Sequence, residues 1–334
     1  LYFGPQLKEM EFFNNKTNTT FISGQINGRV NHLKGKNMIV RTGNKTILRT
    51  DFSIIGLPEF KTAYFDFPNL KLVSGRQDIE MIAGKSVPAS VLVPEDILLL
   101  INFKGKMNAF ETTINAGSTF GGAKVLATVD ANENFRADLD ILDFDMGRLL
   151  KNNKMYGPVS LTALVSGQGL DTKTMKAKIS ADVSQIYLNQ YLYHNLTVNG
   201  TANGQAYAGK INLKDKNAVF VLDGLVNMTP RQEKYKFHLN VEGVDLQQLK
   251  LTERDIRFAM DATADMEGGT LNTMNGTAGI NNLIVTHNGK KYQLDSVMLA
   301  SVNQVDKSDF DFRSALLGLR FNGNISPTTL PTVL

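Results

Sequence analysis

The 334-residue chain contains neither cysteine nor tryptophan. Without cysteine there is no disulfide, no thiolate nucleophile and no cysteine-ligated zinc, a composition compatible with an oxidising compartment. Long apolar runs are missing too. None exceeds Ile97 to Ile101 in length, far short of the ~20 apolar residues that a spanning helix needs. Charge of one sign has no stronghold: 36 Lys and Arg against 32 Asp and Glu leave +4 spread along the chain. Nucleic-acid binders carry a basic stripe interleaved with aromatics; none is present, so no nucleic-acid partner is expected. A sustained 3.6-residue helical period is absent through most of the sequence.

Sites for chemistry are equally scarce. Gly117-Ser118-Thr119-Phe120-Gly121-Gly122-Ala123-Lys124 approaches a phosphate-binding loop, but Ala123 separates Gly from Lys, and Val125 stands where Ser or Thr must follow. Asp138, Asp140, Asp143 and Asp145 cluster without the central Gly and final Glu of a calcium loop. Asp138 and Asp140 alternate with Leu139 and Ile141, which marks the solvent face of a strand, and the apolar phase then slips to Leu142 and Phe144, the mark of a bulge or strand end. His32, His194, His238 and His287 are scattered, in no metal-binding spacing, and no Gly-x-Ser-x-Gly elbow appears. The expectation is a non-enzyme with no cofactor and no metal: a scaffold, binder or conduit.

What the sequence does contain is alternation. Ala123, Val125, Ala127 and Val129; Ala137, Leu139 and Ile141; Leu161, Ala163 and Val165; Ala177, Ile179, Ala181 and Val183; and Phe237, Leu239 and Val241 are apolar at every second place. That period belongs to strands with one apolar face. Asn-Gly at 27–28, 199–200, 203–204, 275–276, 288–289 and 322–323 reads as tight hairpin turns, and 130–134 and 214–217 read as longer polar turns. One short helix is expected from Pro94-Glu95-Asp96 into Ile97 to Ile101. Segment 142–150 resembles segment 241–251, with Asp145 and Asp245 each placed to cap one helical turn and leucines folding that turn over the sheet edge. The fold class expected is all-β: an elongated, curved antiparallel sheet, or repeated strand units, forming a trough-like (taco or open-barrel) structure with a few short helical turns. It runs as one β-repeat segment over 1–334, with a possible subdivision at about 151–158 into 1–150 and 159–334.

Phe21-Ile22-Ser23-Gly24-Gln25-Ile26-Asn27-Gly28-Arg29-Val30, with Leu33, Met38-Ile39-Val40 and the threonine-bearing 41–46, resembles the strand opening of TamB/AsmA-like translocation and assembly modules, in their Bacteroidetes form. Val91-Leu92-Val93-Pro94-Glu95-Asp96-Ile97 before Phe103-Lys104-Gly105-Lys106 resembles that family's short crossing segment, and Gly167, Gly200, Gly268 and Gly276 sit in similar strand settings. The resemblance covers nearly the whole chain as a pattern of degenerate positions. It implies an incompletely closed sheet with an apolar trough, in a periplasmic protein anchored in the inner membrane. Such a protein works in outer-membrane protein assembly with a barrel partner, or in phospholipid movement between membranes. On this expectation the chain is an internal fragment, its first residue being Leu1, and its membrane anchor lies outside it. The candidate trough lining is Val125, Ala127, Leu139, Ile141, Ala163, Val165, Ile179 and Ala181, facing lipid acyl chains or client β-strands. The competing expectations are a carbohydrate-binding or carbohydrate-active β-solenoid, for which 8% aromatics without Trp is poor provision, and a structural adhesin with a fully packed interior.

Overall fold

The computed structural model describes residues 19–270, 273–304 and 307–323, the Lys85 side chain excepted. Among the described residues nineteen strands are joined by antiparallel ladders into one sheet. The chain divides into two compact units, one running to Gln168 and including Ser184–Leu188, the other comprising Gly169–Val183 and the residues from Asn189 onward.

The first unit is a meander. It comprises β1 (Thr20–Arg29), β2 (His32–Thr42), β3 (Thr46–Ile55), β4 (Tyr64–Gly75), helix α1 (Arg76–Ala83), β5 (Asp96–Lys106), β6 (Ala109–Ser118), β7 (Gly121–Val129), β8 (Asn134–Asp145), the single turn α2 (Met146–Leu149) and β9 (Tyr156–Gln168). The stretch 151–158 comprises the connection from α2 and the first residues of β9, inside this unit, and the division of the chain falls after Gln168. The second unit takes the Lys176–Val183 part of β10 (Lys176–Leu188), then β11 (Tyr191–Asn203), β12 (Ala206–Asp215), β13 (Ala218–Asn227), β14 (Lys234–Asp245), β15 (Ile256–Glu267), β16 (Asn275–His287), β17 (Lys290–Gln304), β18 (Lys307–Ser314) and β19 (Gly318–Gly323). The antiparallel ladders are those of a meander, whereas a β-solenoid stacks parallel coils.

The alternating segments fold as the period demands, and the phase slip after Ile141 is a bulge: the β8–β9 register shifts between Ile141 and Phe144, with Asp143 at φ +47°. The two Asp-capped repeats are also present. Asp145 accepts a hydrogen bond from the Arg148 N–H at 2.9 Å, and Asp245 accepts one from the Gln248 N–H at 3.0 Å. Each Asp also donates its own N–H to the turn two strands earlier, at Phe120 and Asn217 respectively. Only the first repeat makes a helical turn; the second stays a hydrogen-bonded turn that buries Leu249.

Two expectations fail. Residues 97–101 form β5, not a helix, because their aliphatic run serves both sheet faces, pairing Leu99 with Leu72 and Leu98 with Val73; the helix lies earlier, at α1. Of the six Asn-Gly pairs, only 203–204 and 288–289 make turns. The others lie in strands, and at Gly28, Gly200 and Gly276 the glycine answers a close approach of the neighbouring strand's backbone. At Gly276 (φ +130°) a Cβ would stand 2.0 Å from the Asp265 carbonyl oxygen of the neighbouring strand.

Among the described residues only fifteen apolar side chains are essentially buried, several of them alanine, and the elements pack chiefly on their ladder neighbours, with α1 on β4 and α2 on β9.

Candidate functional site: a charge-free sheet face

Directly opposed residues in an antiparallel ladder share a face, so the registers identify every side of the sheet. In the first unit, one row reads Leu70, Ile101, Ile114, Val125, Leu139, Ala163 across β4 to β9. The rows beside it read Leu72, Leu99, Ala116, Ala123, Ile141, Leu161 and Phe67, Phe103, Thr112, Ala127, Ala137, Val165. No charged residue occurs in these rows. The opposite face carries Asp66, Lys104, Glu111, Thr128, Arg136, Ser166 in a single row. Six of the expected lining residues therefore stand together: Val125, Ala127, Leu139, Ile141, Ala163 and Val165, all half-buried.

The half-burial of this face needs a cause. Leu98, Leu100, Leu126 and Leu142, on the polar face, are 38 to 64% exposed, with Leu164 half-buried beside Asp138, while all four of Leu72, Leu99, Leu139 and Leu161 on the apolar face are half-buried. A flat sheet treats its two faces alike. The difference means that this unit bends its apolar face inward, crowding those side chains against one another. Bulges between Phe67 and Leu70 in β4 and at Asp143 supply local bends.

The second unit repeats the segregation on its own strands. Val198, Ile211, Leu222, Leu239, Ala262, Ile280 and Val297 form one row from β11 to β17. The opposite face carries Asn199, Lys210, Asp223, His238 and Thr263. Ile179 belongs to the apolar side, since its Cγ2 lies 3.7 Å from the position a Cβ would take on Gly200. Ser180, on the other phase, bonds Asn199 at 2.7 Å. Ile179 is 38% exposed, and Ala181, two residues on in the same phase, is 8% exposed. The sequence reading left out this unit's longer apolar rows, although the Phe237-Leu239-Val241 alternation marked them.

Polar chemistry gathers mainly at turns and on the outer face. Asp215, at the end of β12, is 3% exposed and receives the Tyr191 hydroxyl at 2.6 Å, the Asn217 N–H at 2.9 Å and the His194 N–H at 3.1 Å. Burial pushes its carboxyl up, but these donors outweigh burial and hold it below the usual carboxylate range. Tyr191 is pushed up to about 12, by burial first and by its bond to Asp215 second. His238 pairs with Asp261 at 2.7 Å on the exposed face. Of the acidic cluster, Asp138 pairs with Arg136, Asp143 is held by Ser160 and Gln185, and Asp145 caps α2. A hollow of about 680 Å3 on the polar face, among Asp66, Lys104, Glu111 and Arg136, is a saddle between long side chains rather than a chamber. Among the described residues no helix is long and apolar enough to cross a membrane.

The arrangement presents a continuous apolar surface on each unit's own strands. Compared with protein-family models, curated proteins and solved structures, the chain shows no match.

Proposed function

We propose that this chain is a non-enzymatic, periplasmic segment of a TamB-like envelope protein, working in outer-membrane protein translocation and assembly, in phospholipid transport between membranes, or in both. The observation that carries the reading is the charge-free face of the first unit, apolar across six consecutive strands and only half-buried. Monomeric soluble proteins rarely leave so extended an apolar surface without a ligand or partner. Acyl chains, or the apolar side of a client strand, satisfy such a face without directional chemistry. The resemblance in the strand openings supplies the setting: an inner-membrane anchor elsewhere in the protein and a barrel partner in the outer membrane.

The test is lipid extraction and mass spectrometry of gently purified protein, with A163E/V165E on the apolar face and T162E/S166E on the opposite face of the same strand. A carboxylate among half-buried aliphatics is costly to desolvate, so the first variant is expected to lose co-purifying phospholipid by about tenfold or more, equivalent to at least ~1.4 kcal/mol. The second is expected to keep it. Wild-type protein free of lipid, with an A163E/V165E variant that merely unfolds, would make these side chains ordinary core and refute the reading.

A further inference from the structure

Positive charge is concentrated at the start of the first unit. Residues 19–55 hold six Lys and Arg against Asp51 alone, an excess of +5 where the whole chain carries +4. Register gathers part of this excess into one patch on the outer face. One row across β1 to β6 reads Phe21, Arg41, Ile47, Val73, Leu98, Gly117. The row beside it reads Ser23, Ile39, Arg49, Lys71, Leu100, Asn115. Neither row contains an acid. Arg49 and Lys71 stand directly opposite each other, and Arg41 is diagonal to Arg49, about 7–8 Å away. All three cations are exposed and none has an ion pair among the described residues. Apolar side chains are interleaved with them: Phe21 is 56% exposed, Leu100 42% and Leu98 38%.

Folding alone favours a different arrangement. Like charges directly opposed destabilise a ladder and opposite charges support it. Three strands farther along the second row Lys124 faces Asp140, the favourable case. The acids around the patch are engaged elsewhere. Asp51, on β3, accepts the Asn37 N–H at 2.7 Å; Asp96 is held by Lys45, and Glu95 lies 3.7 Å from the Arg76 guanidinium. A ladder that sets two cations face to face, with a third beside them and no acid between, breaks a local rule in the way binding sites do. An anion from outside the chain supplies the missing compensation.

We propose that this patch binds the phosphates of an anionic phospholipid surface, with Arg41, Arg49 and Lys71 on the headgroups and Phe21, Leu98 and Leu100 against the apolar boundary beneath them. A guanidinium fork matches phosphate oxygens two at a time. Uncompensated cations interleaved with exposed apolar side chains meet the two requirements of interfacial binding, attraction to anionic lipid and buried apolar area. A free anion has no use for the apolar side chains. A stable protein partner needs ~800 Å2 on each side, and two rows spanning about 24 by 7 Å between Cα atoms fall well short of it. The patch lies on the face opposite the charge-free one, so the inference goes beyond the conduit reading and does not depend on it.

The experiment is vesicle flotation of the full chain, comparing phosphatidylcholine vesicles with vesicles in which about a third of the lipid is phosphatidylglycerol. The chain is expected to float with the anionic vesicles only, and less so as salt rises. At about fivefold per cation, R41Q/R49Q is expected to weaken binding at least tenfold. K71E is expected to do the same while unfolding, without lipid, at a temperature no lower than wild type, because it replaces a like-charge pair by an opposite one. F21S/L100S is expected to weaken binding about threefold or more. K124Q, on the same outer face beyond the patch, is expected to change nothing, and far-UV circular dichroism checks that the variants keep their strands. No flotation, equal flotation with both vesicle types, or K71E or R41Q/R49Q binding like wild type would overturn the proposal. Inorganic phosphate displacing the chain more than chloride does at equal ionic strength would instead make this a free-anion site, and unchanged binding by F21S/L100S with displacement by polyglutamate would make it a surface for acidic protein; either result overturns the lipid assignment. On the proposal A163E/V165E floats normally and R41Q/R49Q keeps its co-purifying lipid, so this inference and the conduit reading fail separately.

Discussion

Asp78→Ala tests how the β2–β3 hairpin is held to α1. Asp78 is 3% exposed. Its carboxylate accepts from the N–H groups of Asn44, Lys45 and Thr46 at 2.9, 2.7 and 2.7 Å, and from the Thr46 hydroxyl at 2.9 Å. Asn44 and Lys45 lie at an exposed turn, where water replaces the lost acceptor. Thr46 is buried; its hydroxyl keeps Ser74 at 2.7 Å, but its N–H is left without an acceptor. An orphaned buried donor costs ~1–3 kcal/mol, and each bond to a charged acceptor contributes ~1.5–3 kcal/mol, so the expected loss is about 3 kcal/mol. Urea unfolding followed by circular dichroism reads it, and hydrogen exchange should accelerate at 44–46 and through α1. The acid limb adds a second reading. Burial raises the carboxyl, but the Asn44 and Lys45 N–H groups, then the Thr46 hydroxyl and N–H, outweigh it and hold it below its ordinary value. Its stabilisation is therefore present above the unfolded value near 3.9 and disappears as pH falls through the folded value, where wild type and variant should converge. A loss under ~1 kcal/mol at neutral pH, with unchanged exchange, would refute the anchoring argument.

Further expectations concern packing, strand geometry and titration. Phe120, 2% exposed with the Arg148 guanidinium 4.3 Å from its ring centroid, should cost ~3–5 kcal/mol as F120A in the same denaturation assay. Gly276→Ala places a Cβ against the Asp265 carbonyl at a φ that side chains avoid, and should cost at least ~2 kcal/mol; a neutral result would contradict the strand role given to that Asn-Gly pair. Tyr191 should ionise near 12 in absorbance titration at alkaline pH, and lower in D215A. Because its folded value is raised, its contribution is complete below ~10 and is lost as pH rises toward the folded value, so Y191F should flatten the alkaline decline in stability.

The strands were legible because one physical rule, apolar on one phase, governs most of them. Even the slip at Ile141 to Phe144 was readable, since a bulge shifts the phase by one residue. Residues 97–101 were misread because an aliphatic run that serves both faces has no period, and length alone then decides between helix and strand. The Asn-Gly pairs misled for a different reason. A glycine needed for close cross-strand approach looks, in sequence, like a glycine needed for a turn, and only the partner strand distinguishes them. Alternation placed Val125, Leu139 and Ala163 on an apolar phase; their standing in one row depends on register, which no single strand encodes. The anchors Asp78 and Asp215 gave no signal, because a buried carboxylate is defined by donors that come from other strands.

The segregation of charge is the feature that separates a conduit from an ordinary sheet. A half-exposed position in a strand tolerates Lys, Glu or Thr with little cost, since long polar side chains reach water past their neighbours. The outer face of the first unit uses that freedom, mixing Leu100 and Leu126 with Lys124, Asp140 and Arg136. The inner face does not, although its side chains are also incompletely buried. In a packed two-layer core the absence of charge follows from folding alone, because burying an unpaired charge is prohibitive. Here the side chains of the face are only half-buried, so burial enforces it less strictly. On the conduit proposal, T162E/S166E and A163E/V165E should differ far more in lipid content than in stability.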